Sequence, residues 1–149
     1  MKNVKIFKSE NGLELIVKHR RSAVIFEIRE DSLEGREEDY QFRFRFNEED
    51  FKELFEYLKD ISNKSWQNIV PKEANSFGSD YFEYYDRKLD NNGYLDIESN
   101  TLFVKRPSSD SNKLYQFNKR KMESFLYDYE RLIWLLMIIL NANIINNWI

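Results

Sequence analysis

The side chains able to do chemistry in this 149-residue chain are few, and most are badly placed for it. There is one histidine, His19, flanked by Lys18, Arg20 and Arg21, with no carboxylate nearby in sequence to orient its ring. That excludes the usual serine-histidine-aspartate and metal-histidine arrangements. There is no cysteine, so thiolate nucleophiles, thiolate metal sites and disulfides are absent. Carboxylates gather at Asp80, Glu83, Asp86, Asp90, Asp96 and Glu98. On a strand, Asp96 and Glu98 would share one face, as two-metal hydrolysis requires. The lysine that nuclease motifs place two positions after the second acid is missing, because residue 100 is Asn. No phosphate-binding glycine loop, nucleophile elbow or HExxH pair occurs. The residues predict a non-enzymatic protein without a cofactor or bound metal, with a metal-dependent nuclease as the third reading.

Charge segregation is more informative than any motif. The stretch 31–60 is strongly acidic, and Glu34, Glu37, Glu38, Glu48, Glu49 and Asp50 are its candidate partner contacts. They would suit the basic surface of a protein target, such as one that handles nucleic acid. Phage- or mobile-element-type inhibitors and immunity proteins are of this physical kind, and this is the first functional expectation. Cations collect at 2–21 and at 105–121. Arg43, Arg45, Lys105, Arg106, Lys119, Arg120 and Lys121 are the candidates for binding an anion or a nucleic acid. The last three occupy the first turn of a helix, where the dipole disfavours cations by a few tenths of a kcal/mol each. Tyr40, beside Arg43 and Arg45, could stack on a base. Net charge is −3, which is no general footprint for nucleic acid.

The elements that must carry these residues can be read from periodicity. Residues 3–8, 13–17 and 23–29 alternate as strands, with turns at Asn11-Gly12 and His19–Ser22. Residues 40–46 form a fourth strand with Phe42, Phe44 and Phe46 inward. Asn47 then caps a helix whose buried stripe is Phe51, Leu54, Phe55, Leu58 and Ile61. Residues 63–78 read as a connection anchored by Trp66, Ile69 and Val70. Strands are expected at 81–89, 94–97, 101–105 and 113–117, with turns at 91–93 and 99–100. A long helix follows from Asn118, with Met122, Phe125, Leu126, Tyr129, Leu132 and Ile133 on one stripe. Its later part, Leu132 to Leu140, is apolar on every face yet under half of a bilayer span, about 20 residues. The run must be covered by the domain or by a second copy, and Trp134, Met137, Ile138 and Trp148 are the dimer candidates.

The fold expectation is α+β: antiparallel sheet with two helices, the long C-terminal helix lying in the core or at a dimer interface. It is a single compact domain, or two half-repeats at 1–62 and 79–149. The strand-helix junctions match in register: Phe44, Phe46, Asn47, Phe51, Leu54, Phe55, Leu58 and Ile61 against Tyr115, Phe117, Asn118, Met122, Phe125, Leu126, Tyr129 and Leu132. With the upstream strands this gives β-β-β-β-α twice. Over residues 13–61 the pattern resembles the PC4-type single-stranded-DNA-binding fold, and its doubling resembles the Whirly arrangement. The resemblance implies single-stranded nucleic-acid binding, the second functional expectation. The chain departs from it at Glu34–Asp39, acidic where the family is basic. With no hydrophobic signal core at Met1–Lys5, the expected compartment is the cytoplasm.

Overall fold

Each of the two sheets borrows one strand from the opposite half of the chain. The structure, a computed structural model, describes residues 3–75 and 80–148, with side chains through Ala142. Strands β1 (Val4–Lys8), β2 (Glu14–Arg20) and β3 (Ala23–Ile28) form an antiparallel meander. The fourth strand, β4 (Gln41–Arg45), does not join them. It crosses to pair with β7 (Thr101–Lys105), the last strand of a second meander that begins with β5 (Glu83–Asp86) and β6 (Asn91–Glu98). The last strand, β8 (Lys113–Phe117), crosses back to β3. The sheets are therefore β1-β2-β3-β8 and β5-β6-β7-β4, related by exchange of their fourth strands. Each exchanged strand leads into a helix, α1 (Glu48–Ser65) or α2 (Lys119–Trp148). The α+β class and the antiparallel sheets are as the sequence predicts.

Local chemistry explains the junctions. The Asn47 side chain accepts the Asp50 N–H at 2.7 Å, and Asn118 accepts that of Lys121 at 2.8 Å, so both helices start on matching asparagine caps. Phe42, Phe44 and Phe46 are buried with the α1 stripe, as their alternation requires. The core is a continuous stack of rings. Phe26 meets Phe117 at 5.1 Å, Phe117 meets Phe125 at 5.2 Å, and Phe125 meets Tyr129 at 5.6 Å between centroids. Tyr129 in turn stacks on Phe51 of α1 at 4.5 Å and donates its hydroxyl to the Phe51 carbonyl at 2.6 Å. Since Glu123 reaches Val70 and Lys72 just past the end of α1, the helices run antiparallel.

Several boundaries differ from the sequence expectation. His19 and Arg20 belong to β2, and the turn is tightened onto Arg21-Ser22, with Ser22 at φ 62°. Only Glu83–Asp86 of the region 81–89 is strand. Val70 is exposed instead of anchoring the connection, while Trp66 and Ile69 do pack on the core. Asn91, Asn92 and Gly93 are strand residues of β6, and the turn before them carries Asp90 at φ 49°. Gly93 is needed for close approach: a Cβ there would collide with the Tyr84 ring and lie 3.1 Å from the Leu114 carbonyl.

The two helices are unequal. Phe51, near the start of α1, is level with Tyr129, so α2 continues past the end of its partner. Leu132, Ile133 and Leu136 still touch the core. Trp134, Leu135, Met137, Ile138, Ile139 and Leu140 are 43–61% exposed.

Candidate functional site

The outer face of the second sheet gathers rings and cations that are scattered in sequence. Pairing across β4, β7 and β6 sets three rows. Gln41 lies opposite Lys105, and Lys105 opposite Tyr94. Arg43 lies opposite Phe103, and Phe103 opposite Asp96. Arg45 lies opposite Thr101, and Thr101 opposite Glu98. These positions alternate with Phe42, Phe44, Leu102, Val104, Leu95 and Ile97, which the core takes, so the whole set must point outward.

Contacts within the rows are specific. The Arg43 guanidinium lies 4.8 Å from the Phe103 ring centroid, and the Lys105 Nζ 5.6 Å from that of Tyr94. Phe82, half exposed, meets Tyr94 edge-on at 5.8 Å. Together with Gln41 and Asp96 these side chains line a shallow depression of about 420 Å³. Arg43, Arg45 and Lys105 form no ion pair among the described residues. Their charge is free for a ligand. The outer edge of β4 is held in place by the turn between β1 and β2. Asn11 donates to the Arg43 carbonyl at 2.7 Å and accepts the Arg45 N–H at 3.2 Å, while the Glu10 N–H meets the Arg45 carbonyl at 2.7 Å. That turn stands in for a neighbouring strand and closes an edge that would otherwise be open to pairing.

Other predicted residues fall elsewhere. Arg106 is no surface cation: it is 1% exposed. Its Nε donates to the Asp39 carbonyl at 2.8 Å, its Nη1 to that of Ser111 at 3.0 Å and its Nη2 to that of Glu37 at 2.7 Å. It thus ties together the two crossovers, 29–40 and 106–112, that exchange strands between the sheets. Arg120 pairs with Asp80 at 3.4 Å, and the Lys121 Nζ donates to the carbonyls of Asp80 and Glu83. Burial lowers the Lys121 pKa, with Glu83 and Asp80 opposing that shift. The basic first turn of α2 is therefore largely engaged with the approach to β5, while Lys119 makes no side-chain hydrogen bond or ion pair among the described residues. Tyr40 precedes β4 and is exposed, but its position alternates with Arg43 and does not join the rows.

The acidic residues fall into two groups in the chain. Glu34, Glu37 and Glu38 lie on the crossover before β4, and Glu48, Glu49 and Asp50 start the helix after it. The strand separates the two groups by roughly 15 Å at about 3.4 Å per residue. Asp96 and Glu98 do share the outer face of β6, as predicted. No group of three potential metal ligands occurs among the described residues. His19 is partly covered on β2, and burial and Lys64 lower its pKa, Asp60 opposing them. Trp134, Met137 and Ile138 are exposed on α2, while the Trp148 side chain lies outside the described residues.

Phe82, Tyr94 and Phe103 were not legible as site residues. The parity of Tyr94 and Phe103 in their strands was the available signal, and Phe82, which precedes β5, had none; which side chains they join depends on pairing between residues far apart in sequence. Comparison with models of known protein families, with curated proteins and with solved structures finds no match to this chain.

Proposed function

We propose that the chain binds single-stranded nucleic acid across the outer face of the second sheet. The observation that carries this reading is the juxtaposition of Phe82, Tyr94 and Phe103 with Arg43 and Lys105. Aromatic faces give bases a stacking platform of any sequence, and interleaved cations follow the phosphates. The depression is open and shallow, which suits an extended strand better than an enclosed small molecule. Asp96 lines the depression on its β6 side and Glu98 follows it, so the two would turn the backbone toward the β4 and β7 side, where Arg43, Arg45 and Lys105 stand. The resemblance of the doubled β-β-β-β-α pattern to single-stranded-DNA-binding folds supports the same reading.

Binding of fluorescent oligo-dT across a salt series tests it. Three neutralised phosphates predict a slope of log K against log salt of about −2. Phe103→Ala should weaken binding by roughly 5- to 100-fold, the loss of one stacked base. Arg43→Glu should weaken it further and flatten the slope. Absence of binding at low salt, or binding indifferent to both changes in folded variants, overturns the proposal. If instead the chain captures one stoichiometric protein, and Glu37→Lys with Glu38→Lys abolishes capture, the acidic crossover is the binding element.

A further inference from the structure

The pairing of β7, β6 and β5 sets the outward rings of the second sheet on a diagonal. Phe103 stands on β7 opposite Asp96; Tyr94 lies one strand over and one row along, because its own partner is Lys105. The same step from Tyr94 reaches Tyr85 on β5, the partner of Asn92. Tyr84 turns into the core, so Tyr85 faces outward and is exposed. Its hydroxyl donates to the Asp90 carboxylate, which steadies the ring. In the other direction the line from Tyr94 through Phe103 meets Arg45 on β4. Each step is about 4.8 Å across the strands and about 6.8 Å along them, about 8 Å in all. Bases in a duplex strand are about 3.4 Å apart, so only an unstacked, extended strand lays one base on each ring.

Charge divides along this diagonal. Arg43 and Lys105 lie on one side of it, and Asp96, Glu98 and Glu83 on the other. A strand resting on the rings turns its phosphates toward the cations and its base edges toward the carboxylates. Asp96 is the best placed of these, opposite Phe103, two residues from Tyr94 and lining the same depression. Its Oδ1 accepts the Ile97 N–H at 2.8 Å, which fixes the carboxylate. Its Oδ2 has no hydrogen bond or ion pair among the described residues. We infer, on the strength of the nucleic-acid reading, that this face selects bases carrying an exocyclic amino group, cytosine over uracil or thymine. A carboxylate accepts hydrogen bonds and donates none. Cytosine offers it the N4 amino group, the contact that Asp and Glu make with this base. Uracil and thymine carry a carbonyl oxygen at that place, whose lone pairs face those of the carboxylate. Stacking and the phosphate contacts hold every base, and the carboxylate grades them.

The test compares fluorescent oligo-dC with oligo-dU, which differ only at the base edge, on the full chain at neutral pH. Oligo-dC should bind roughly 5-fold tighter, the low end for one base-edge contact. Asp96→Asn keeps an oxygen for the Ile97 N–H and adds a donor that uracil can accept, so it should erase the preference. Tyr85→Ala should weaken both oligonucleotides alike, by roughly 5-fold or more, as one stacking ring is lost. Circular dichroism checks that both variants are folded. Equal affinities in the wild type overturn the inference, as does a preference that persists in Asp96→Asn. Unchanged binding in Tyr85→Ala overturns the diagonal path. Binding of both oligonucleotides without preference leaves the nucleic-acid reading standing and removes only the base selection; binding of neither removes both.

Discussion

Replacing Arg106 by methionine should cost the protein about 3 kcal/mol without touching any surface residue. The guanidinium makes three hydrogen bonds of 2.7–3.0 Å to backbone carbonyls and lies 5.0 Å from the Phe42 ring centroid. Bonds from a charged donor contribute about 1.5–3 kcal/mol each, so the three together supply roughly 6 kcal/mol. Methionine keeps much of the packing and returns the cost of burying a charge, several kcal/mol, of which we count about 3. The net loss is about 3 kcal/mol, or a fall in Tm of about 6–12 °C for a domain of this size. Urea denaturation followed by tryptophan fluorescence measures it, and an unchanged slope would show that the unfolded state is the same. The acceptors are backbone carbonyls, so Glu37→Ala should change stability by less than about 0.5 kcal/mol. A loss below about 1 kcal/mol in Arg106→Met would refute the claim that this side chain holds the two crossovers together.

Two further changes probe the join between the sheets. Gly93→Ala forces a methyl group into the Tyr84 ring, itself wedged edge-on against Tyr115 at 4.8 Å. It should destabilise by about 1–3 kcal/mol in the same denaturation assay, and equal stability would show that the ring can yield. Asp86 is buried, salt-bridged to Lys113 at 3.2 Å, and accepts the Leu89 N–H at 3.0 Å. Burial alone would raise its pKa, but the Leu89 N–H, Lys113 and the Tyr84 hydroxyl outweigh it and hold the carboxyl below its ordinary value. A depressed folded pKa gives stability that is present above the unfolded value, about 3.9, and lost as pH falls through the folded one. Asp86→Asn should therefore lower stability at neutral pH and flatten its decline in acid, measured as urea midpoints across that range. A decline as steep as in the wild type would exclude Asp86 as a contributor.

The amino-acid pattern alone determined those features that depend on near neighbours. Phe42, Phe44 and Phe46 had to face inward because strand side chains alternate, and Asn47 and Asn118 had to cap because free N–H groups follow them. The Ser99-Asn100 hairpin and the stripes of α1 and α2 were legible for the same reason. Tertiary structure alone decided which strand each fourth strand would join, because hydrogen-bonding edges are alike in every strand and carry no address. That choice buried Arg106, which in sequence is one more cation beside Lys105. It placed Gly93 against Tyr84, where a glycine after two asparagines reads as a turn. It brought Arg43 beside Phe103, which is 60 positions away, and so assembled the candidate binding face. It also left Trp134 and Met137 to Leu140 of α2 exposed among the described residues, since an apolar run records that it must be covered but not by what.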